Sequence, residues 1–238
     1  MSDAPTTETD TTDVPDEPTD ELREDLLARL RDSLGDAVVE THVQSGVDVW
    51  ARVATDAWAE AAEAVRHRLG ARYFGFLSVV DWKPSPFGRS MDAEVDRVLA
   101  GESGPAADGE IVQGVAGGAT RFQVLARVAH VGEPGNYWGL TLKTDVPDDT
   151  LELDSWVATY AGADWHEREA WEMFGVTFRG HPGLRHLYLP GDFEGHPMRK
   201  DFPLLARQVK PWPGIVDVEP MPGAEGDDES AEDPEAAS

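Results

Sequence analysis

Cysteine is absent from the 238-residue sequence. Disulfide frameworks, thiolate zinc sites, cysteine-ligated iron–sulfur clusters and cysteine nucleophiles all need this side chain, so the sequence excludes each of them for this chain. We therefore expect any electron transfer associated with the protein to take place in another chain or in a bound ligand.

Long apolar runs and basic side chains are also scarce. No stretch approaches the roughly 20 apolar residues that a membrane-spanning helix needs, and the N-terminal residues lack the features of a secretory signal. Acidic side chains number 46 against 20 basic ones, a net charge of −26 that disfavours direct binding to nucleic acid or anionic lipid. These features predict a cytoplasmic protein that reaches a membrane only through partners.

The acidic residues are concentrated at the two ends of the chain. Residues 1–24 hold nine acids against one arginine, and residues 217–238 hold nine acids and no base. Such segments bury too little apolar surface to offset the entropy cost of ordering them. The predicted organisation is a disordered acidic tail at 1–21, an α+β domain at 22–150 with an inserted Gly- and Pro-rich loop at 83–118, a Trp- and Pro-rich segment at 151–212, and a second disordered acidic tail at 213–238.

Hydrophobic periodicity predicts the elements of the domain. Leucines at helical spacing from Leu22 to Leu34 indicate a first helix that ends at Gly35, and the alternation from Val38 to Val53 indicates a hairpin. The order of elements predicts an α+β fold, in which a mostly antiparallel mixed sheet carries helices on one face and is followed by an extended C-terminal segment. The further elements are a helix capped by Thr55 or Asp56, with Trp58, Ala61, Ala62, Val65 and Leu69 on its buried face and Gly70 at its end, and strands at 73–82, 120–131 and 136–145.

The run DWHEREAWEMFG predicts another helix, which ends at Gly175. On this helix Trp165 and Glu169 share one face with Glu172 or Met173, and Arg168 lies four residues before Glu172. Proline and glycine residues interrupt the chain beyond the helix, which disfavours regular secondary structure, although many large apolar side chains remain there. Such a segment needs another surface to lie on.

A metal site is the main chemical alternative in this region. His166 is followed by Glu167, but Ala170 stands where the His-Glu-x-x-His zinc motif requires its second histidine. The glycine-rich stretches lack the spacing of nucleotide-binding loops, and no nucleophile elbow is present. A looser site, which would make the chain a metal-dependent hydrolase, combines His166 and Glu169 with His181, His186 or His196.

Two blocks of sequence resemble one known family. The second block, GHPMRKDFPL at 195–204, is similar to the family's Gly-His-Pro-x-Arg-Lys-Asp-Phe-Pro-Leu run. The family is the 30 kDa subunit of respiratory complex I, which in bacteria is the C subunit of NADH-quinone oxidoreductase. The first block has the order Glu-Arg-Glu, acid, two apolar residues, His, Arg and two apolar residues, formed here by Glu167, Arg168, Glu169, Glu172, Met173, Phe174, His181, Arg185, Leu187 and Tyr188.

The resemblance implies a non-redox, structural and assembly role in the peripheral arm of a proton-translocating NADH:quinone oxidoreductase. It implies that this chain has no catalytic residue and binds no cofactor or metal, that FMN and Fe-S clusters lie in partner subunits, and that NADH and quinone are the substrates of the complex. The implied partners are the 49 kDa-type D subunit and the terminal-cluster B subunit, on the cytoplasmic side of the cell membrane. The equivalent subunit of an F420H2 dehydrogenase or of an energy-converting hydrogenase is the alternative.

Three features depart from the family pattern. Gly183 stands where Asp or Asn is common, His186 replaces a frequent Arg, and the inserted loop at 83–118 is longer than the short connection expected there. The long insertion, together with the excess of arginine over lysine, resembles the actinobacterial branch of the family. That branch implies menaquinone as the quinone.

The signature residues are predicted to form an ion-pair scaffold. Consecutive residues on a helix point in different directions, so Glu167, Arg168 and Glu169 do not converge on one substrate. We expect Arg168 to bridge acids such as Glu172, and Glu167 or Glu169 to accept hydrogen bonds from Arg185 or from a partner's arginine. The alternative is a solvated helix face whose i, i+4 pairs contribute about 0.3 to 0.5 kcal/mol each.

The histidines and the second block have simpler predicted roles. His181 and His196 each precede a proline, which favours turns fixed by a side-chain hydrogen bond. Arg199, Lys200 and Asp201 are predicted to anchor the chain on a partner, because arginine binds carboxylates at two points. Removing this block and everything after it is expected to leave the domain folded and to abolish retention on the D subunit.

Overall fold

A computed structural model describes residues 20–85, 110–132 and 137–202. Residues 1–19 of the first predicted acidic tail, the whole second tail, residues 203–212 of the segment before it and the greater part of the predicted inserted loop lie outside the described residues. The elements in chain order are α1 (Glu21–Leu34), β1 (Val38–Gln44), β2 (Asp48–Val53), a 3-10 turn (Thr55–Ala57), α2 (Trp58–Glu63) continued by a π-helical turn (Ala64–Leu69), β3 (Tyr73–Asp81), β4 (Phe122–His130), β5 (Trp138–Asp145), β6 (Glu152–Asp154), α3 (Ala163–Phe174) and β7 (Thr177–Arg179).

Five strands form one sheet in the order β1-β2-β5-β4-β3. Strands β2 and β5 run parallel, and the other neighbouring strands run antiparallel. A separate parallel pair consists of β6 and β7. The predicted α+β fold with a mostly antiparallel mixed sheet is therefore confirmed, as is the order of its elements.

The helices pack on one face of this sheet. The register places Ala51 beside Leu142 and Leu142 beside Ala126, so these three side chains point to the same face. All three are fully buried in a core that also contains Leu30 of α1 and Trp58 of α2. The alternation predicted from the sequence is therefore present as alternating burial along β2.

The opposite face of the sheet is polar and is covered by the end of the predicted inserted loop. Lys143 Nζ donates to Val115 O at 2.6 Å, and Arg52 Nε donates to Ala116 O at 2.8 Å. Desolvation lowers the pKa of the buried Lys143 amine to about 8. The last described part of the loop is therefore a packed cover of the sheet, whereas residues 86–109 lie outside the described ranges.

Two local predictions need correction. Neither Thr55 nor Asp56 caps α2 with its side chain, because the Thr55 hydroxyl donates to Asp145 O at 2.8 Å and so joins the turn to β5. The hydrophobic core also continues past residue 150, the predicted end of the α+β domain. Trp156 stacks on Trp58 with ring centroids 4.4 Å apart and donates its indole N–H to Trp58 O at 3.0 Å.

No helix within the described ranges is long and apolar enough to span a lipid bilayer.

Candidate functional site

Helix α3 carries the first part of the first signature block, Glu167 to Phe174, and buries three charged side chains. The helix ends at Gly175, which has a left-handed backbone with φ of 77° and donates its N–H to Trp171 O at 2.9 Å. Glu167, Arg168 and Glu172 are all buried. A buried charge destabilises a protein unless it is paired or hydrogen-bonded, so the partners of these side chains define the site.

Glu167 holds the loop that follows β6. Its carboxylate oxygens accept hydrogen bonds from Ser155 Oγ and from the Trp156 N–H, both at 2.6 Å. Burial raises the pKa of Glu167 to about 7, although the two hydrogen bonds oppose this change. Glu167 thus fixes the start of the segment that leads into α3, close to the Trp156–Trp58 stack.

Arg168 points away from Glu167, towards the irregular chain beyond β7. Its Nε donates to Arg185 O at 3.0 Å, and its Nη2 donates to His186 O at 3.1 Å. The guanidinium therefore supplies two donors to backbone carbonyl groups that no strand or helix satisfies.

Glu172 completes the contact with the same segment. Its carboxylate accepts the N–H groups of Leu187, Tyr188 and Leu189 at 3.0, 3.1 and 2.8 Å, and it lies 2.9 Å from His186 Nδ1. Burial alone would raise the pKa of this carboxyl, but the hydrogen bonds from Leu189, Leu187, His186 and Tyr188 lower it to about 2. The three successive amides form a concave anion site around the ionised side chain.

The predicted ion-pair scaffold is therefore wrong in its partners. Within the described chain, Arg168 binds backbone carbonyls instead of Glu172, and Glu167 binds Ser155 and Trp156 instead of Arg185. The physical reason is that a backbone segment without secondary structure needs both donors and acceptors, which an arginine and a glutamate on one helix face supply. The side chains of Glu169 and Arg185 make no hydrogen bond or ion pair with another described residue.

His181 forms the turn predicted for it. Its Nε2 lies 3.0 Å from Asp164 Oδ1 and 3.2 Å from Asp164 O, while its Nδ1 accepts the Gly183 N–H at 3.0 Å. Because Nδ1 is an acceptor, the proton is on Nε2. This buried side chain therefore ties the turn after β7 to the first turn of α3, and the predicted side-chain hydrogen bond is confirmed.

The second signature block folds back on the C-terminal end of α3. His196 Nδ1 lies 2.9 Å from Glu172 O, Arg199 Nε donates to Phe174 O at 2.6 Å, and the Met198 N–H donates to Met173 O at 3.2 Å. These contacts satisfy carbonyl groups that have no partner within the helix. A Cβ at position 175 would lie 2.5 Å from His196 Nε2, so the close approach of this block requires glycine there.

The two residues after Arg199 bind a pair that sequence reasoning missed. The Lys200 N–H donates to Asp81 Oδ2 at 2.8 Å, and Asp201 accepts two hydrogen bonds from Arg121 at 2.9 Å. Asp81 ends β3 and Arg121 precedes β4, so they flank the predicted loop without belonging to any recognised motif. A buried-strand pattern that ends in an aspartate was the one available signal.

The histidines do not converge on a metal site. His166 Nδ1 lies 3.0 Å from Leu77 O, and His181, His186 and His196 each bond to groups of α3. No group of three or more potential ligands is found among residues 20–85, 110–132 and 137–202. The combination of His166 and Glu169 with the other histidines is therefore not formed there.

Large apolar side chains remain exposed on the surface of this site. Trp165 on α3 is 67% exposed, Tyr188 is 63% exposed and Met198 is 52% exposed. The side chains of Glu169 on α3 and Arg185 in the segment beyond β7 make no hydrogen bond or ion pair with a described residue. We call these five residues, which lie on α3 and on the segment that α3 binds, the exposed patch, and exposed aromatic side chains are typical of protein interfaces.

The match to a family model covers residues 51–208, which include α3, both signature blocks and the patch. The model describes the respiratory-chain NADH dehydrogenase, 30 Kd subunit. The chain belongs to this family. The resemblance read from the two sequence blocks is therefore confirmed, and the actinobacterial assignment stays a prediction.

Two relatives of this chain are longer C/D subunits of NADH-quinone oxidoreductase. The C/D subunit of NADH-quinone oxidoreductase from Klebsiella pneumoniae subsp. pneumoniae is 44% identical over 73 residues, which are 31% of this chain and 12% of that protein. The protein of the same name from Methylococcus capsulatus is 45% identical over 78 residues, 33% of this chain and 13% of its own length. The matched stretch thus spans about an eighth of these curated relatives.

A solved structure shares the fold of this family member. A chain of the membrane-bound sulfane sulfur reductase, described as an archaeal respiratory membrane complex, matches 78% of this chain and 88% of its own length. The TM-score is 0.52 and the sequence identity is 19%, so the likeness concerns the fold.

Proposed function

We propose that the chain is a non-redox subunit of a proton-translocating NADH:quinone oxidoreductase and acts through assembly of the complex. The observation that supports this most strongly is the use of the signature charges. Glu167, Arg168 and Glu172 all bind backbone or hydroxyl groups of their own chain. Buried groups engaged in this way shape a surface, and they do not converge on a substrate.

The cofactors of the proposed complex belong to other subunits. A chain without cysteine cannot ligate an iron–sulfur cluster through thiolates, so electrons from NADH would pass through FMN and Fe-S centres in partners. Quinone, proposed to be menaquinone, would be reduced at a site formed by other subunits. This chain would contribute to that site only through assembly of the complex.

The proposed partners are the 49 kDa-type D subunit and the terminal-cluster B subunit, at the cytoplasmic side of the membrane. The exposed patch supports a protein partner, because Trp165, Tyr188 and Met198 expose large apolar side chains to solvent. The anchor role predicted for Arg199 and Asp201 changes, since both are engaged within the chain. The exposed Lys200 side chain, the patch and residues 203–212 of the predicted C-terminal segment are the proposed contacts.

Purification of the tagged chain from its native membrane tests the proposed function. We expect stoichiometric co-purification of subunits that carry FMN and Fe-S clusters, together with NADH:quinone reductase activity. Flavin and NADH-binding subunits among the co-purifying chains distinguish this complex from an F420H2 dehydrogenase or a hydrogenase. Recovery of the chain alone, or turnover by the isolated chain, would contradict the proposal.

Deletion of residues 203–238 sharpens the test. The described domain ends in contacts made by residues 195–202, so this cut preserves them, whereas a cut at 195 removes the groups bound to Glu172, Phe174 and Asp81. We expect the shortened chain to keep its melting temperature and to lose retention in the complex. Undiminished co-purification of the shortened chain would assign the docking role to the domain alone.

A further inference from the structure

Asp81 is a buried carboxylate that joins three parts of the chain at the end of β3. It accepts the Lys83 N–H at 3.0 Å, where the inserted loop begins, and the Lys200 N–H at 2.8 Å. Arg121, where the loop ends, donates to it from Nε at 2.9 Å and from Nη2 at 2.6 Å. The Asp81 side chain is fully buried, so water does not compete for these bonds.

Arg121 extends the contact to the C-terminal segment by a second route. Its two terminal nitrogens each donate to a carboxylate oxygen of Asp201 at 2.9 Å. Its guanidinium lies 4.5 Å from the centroid of the Phe122 ring, and the Arg199 guanidinium lies 5.3 Å from the same ring. One arginine therefore binds two acids from distant parts of the sequence. The planar arrangement of its guanidinium N–H groups sets the relative position of the two acids.

Asp81, Arg121 and Asp201 form a charged cluster. Asp81 and Arg121 keep their charges through the neutral pH range. Burial alone would raise the pKa of Asp81, but the hydrogen bonds from Arg121 and from the Lys200 and Lys83 N–H groups hold it below its usual range. The side-chain hydrogen bond to Asp81 raises the pKa of Arg121 above its ordinary value, and burial opposes this only in part. The contact is therefore a stable ion pair at neutral pH.

We infer that Asp81 and Arg121 are positioning residues that fix where the chain leaves the domain after Phe202. The residues that follow Phe202 start from a point tied to the sheet by both acids of the cluster. The described ends of the inserted loop, at Lys83 and Arg121, are bound to Asp81 as well. The inference rests on the proposed function only in assuming that a partner receives the departing chain.

Amide hydrogen exchange in the isolated full-length chain tests this inference. The reporter is the Met198 N–H, which donates to Met173 O and touches neither Asp81 nor Arg121. We expect Arg121→Gln and Asp81→Asn each to accelerate exchange at Met198 and Phe202 by roughly tenfold or more, because the segment opens when its anchor is lost. Arg121→Lys keeps the positive charge but loses the planar guanidinium that binds both acids at once, so an intermediate acceleration of exchange is expected.

Arg179→Gln is the matched control, because it breaks the exposed Arg179–Asp154 pair and leaves the cluster intact. Unchanged exchange at Met198 in both Arg121→Gln and Asp81→Asn would overturn the inference. If Asp81→Asn also loses protection in the sheet, Asp201→Asn decides, since it leaves Asp81 and Arg121 paired to each other. Faster exchange at Met198 in that variant supports the inference, and unchanged exchange contradicts it.

The hydrogen-exchange experiment can fail or succeed independently of the co-purification experiment that tests the proposed function. Exchange is read in the isolated chain, so it reports positioning whether or not the complex is an NADH:quinone oxidoreductase. Failure of the wild-type chain to co-purify with any respiratory subunit would refute the proposed function and leave the exchange result standing.

Discussion

The five-stranded sheet and the segment 181–202 are held in place by different forces. In the sheet, alternate side chains such as Val49 and Ala51 are buried in an apolar core, and neighbouring strands satisfy the backbone. The segment contains no helix or strand, and Arg168 and Glu172 of α3 satisfy its backbone instead. A single helix can thus replace a neighbouring strand when it carries one buried cation and one buried anion.

Because of this difference, a few charged side chains supply much of the free energy that stabilises the segment. Hydrogen bonds to charged groups contribute about 1.5 to 3 kcal/mol each, and a buried group left without its partner costs more than the bond contributed. The sheet spreads its stability over many apolar contacts, whereas the backbone of residues 185–189 in the segment depends on Arg168 and Glu172. Substitutions in α3 therefore test most directly whether the sheet and the segment are stabilised in different ways.

Glu172→Ala is expected to have the largest effect. Removal of the carboxylate leaves three N–H groups and His186 without their acceptor, so the free energy of unfolding should fall by about 3 to 5 kcal/mol in urea denaturation. Glu169→Ala is the matched control, since this glutamate has no described partner, and it should change stability by less than about 0.5 kcal/mol. Equal effects of the two substitutions would contradict the account.

The pH dependence of stability should separate the two buried acids next. Glu167 has its pKa raised from 4.5 to about 7, so the folded state keeps a proton that the unfolded state has released. Its contribution is complete below pH 4.5 and is lost as pH rises towards 7, by roughly 3 kcal/mol. Glu172 has its pKa lowered to about 2, so its contribution is complete above pH 4.5 and is lost as pH falls towards 2.

Glu167→Gln is the variant that isolates the first of these two dependences. The amide oxygen still accepts the Trp156 N–H, while the titration is removed. Urea denaturation of wild type and variant between pH 4.5 and 7 should show a decline in the wild type and a flatter profile in the variant. Parallel profiles would show that Glu167 does not titrate in this range.

Arg168→Met should have an intermediate effect. The methionine preserves the apolar contacts of the side chain but leaves the carbonyls of Arg185 and His186 without donors, at a cost of about 2 kcal/mol in thermal or urea unfolding. Arg185→Met is the control, because its guanidinium is exposed and makes no described bond. If Arg185→Met were as destabilising as Arg168→Met, net charge would explain the loss better than the two hydrogen bonds.

Trp165→Ser should change the stability of the isolated chain least. Its side chain is 67% exposed, so we expect a change below about 0.5 kcal/mol. Co-purification with the proposed partners should nevertheless fall strongly, because buried aromatic anchors dominate interface energies. Tyr137→Ser, at an exposed aromatic near β5, is the control that should retain full co-purification. Full retention of both variants would remove Trp165 from the proposed interface.

The fold was largely predictable because the hydrophobic patterns that define its helices and strands repeat within a few residues of sequence. The leucines of α1, the alternation in β2 and the buried face of α2 each repeat within a few residues, and all three were predicted correctly. Thr55 was predicted as a cap for the same local reason. Its hydroxyl instead bonds Asp145, far away in sequence, which no periodicity reveals.

The site was predictable in its residues but not in their partners. Helical spacing placed Arg168 beside Glu172 and suggested an ion pair, since local rules pair charges four residues apart. Each side chain instead bonds a backbone segment further along the chain, beyond β7. Asp81 and Arg121 were missed because their importance arises from the return of the C-terminal segment to the sheet.

Limited trypsin digestion of the isolated chain, followed by mass spectrometry, tests most directly whether α3 holds the segment without help from a partner. The exposed Arg185 side chain lies in the segment whose backbone binds Arg168 and Glu172. We predict that wild-type chain resists cleavage after Arg185 and that Glu172→Ala is cut there readily. Cleavage of the wild type after Arg185 as fast as in a short unstructured peptide would contradict the account.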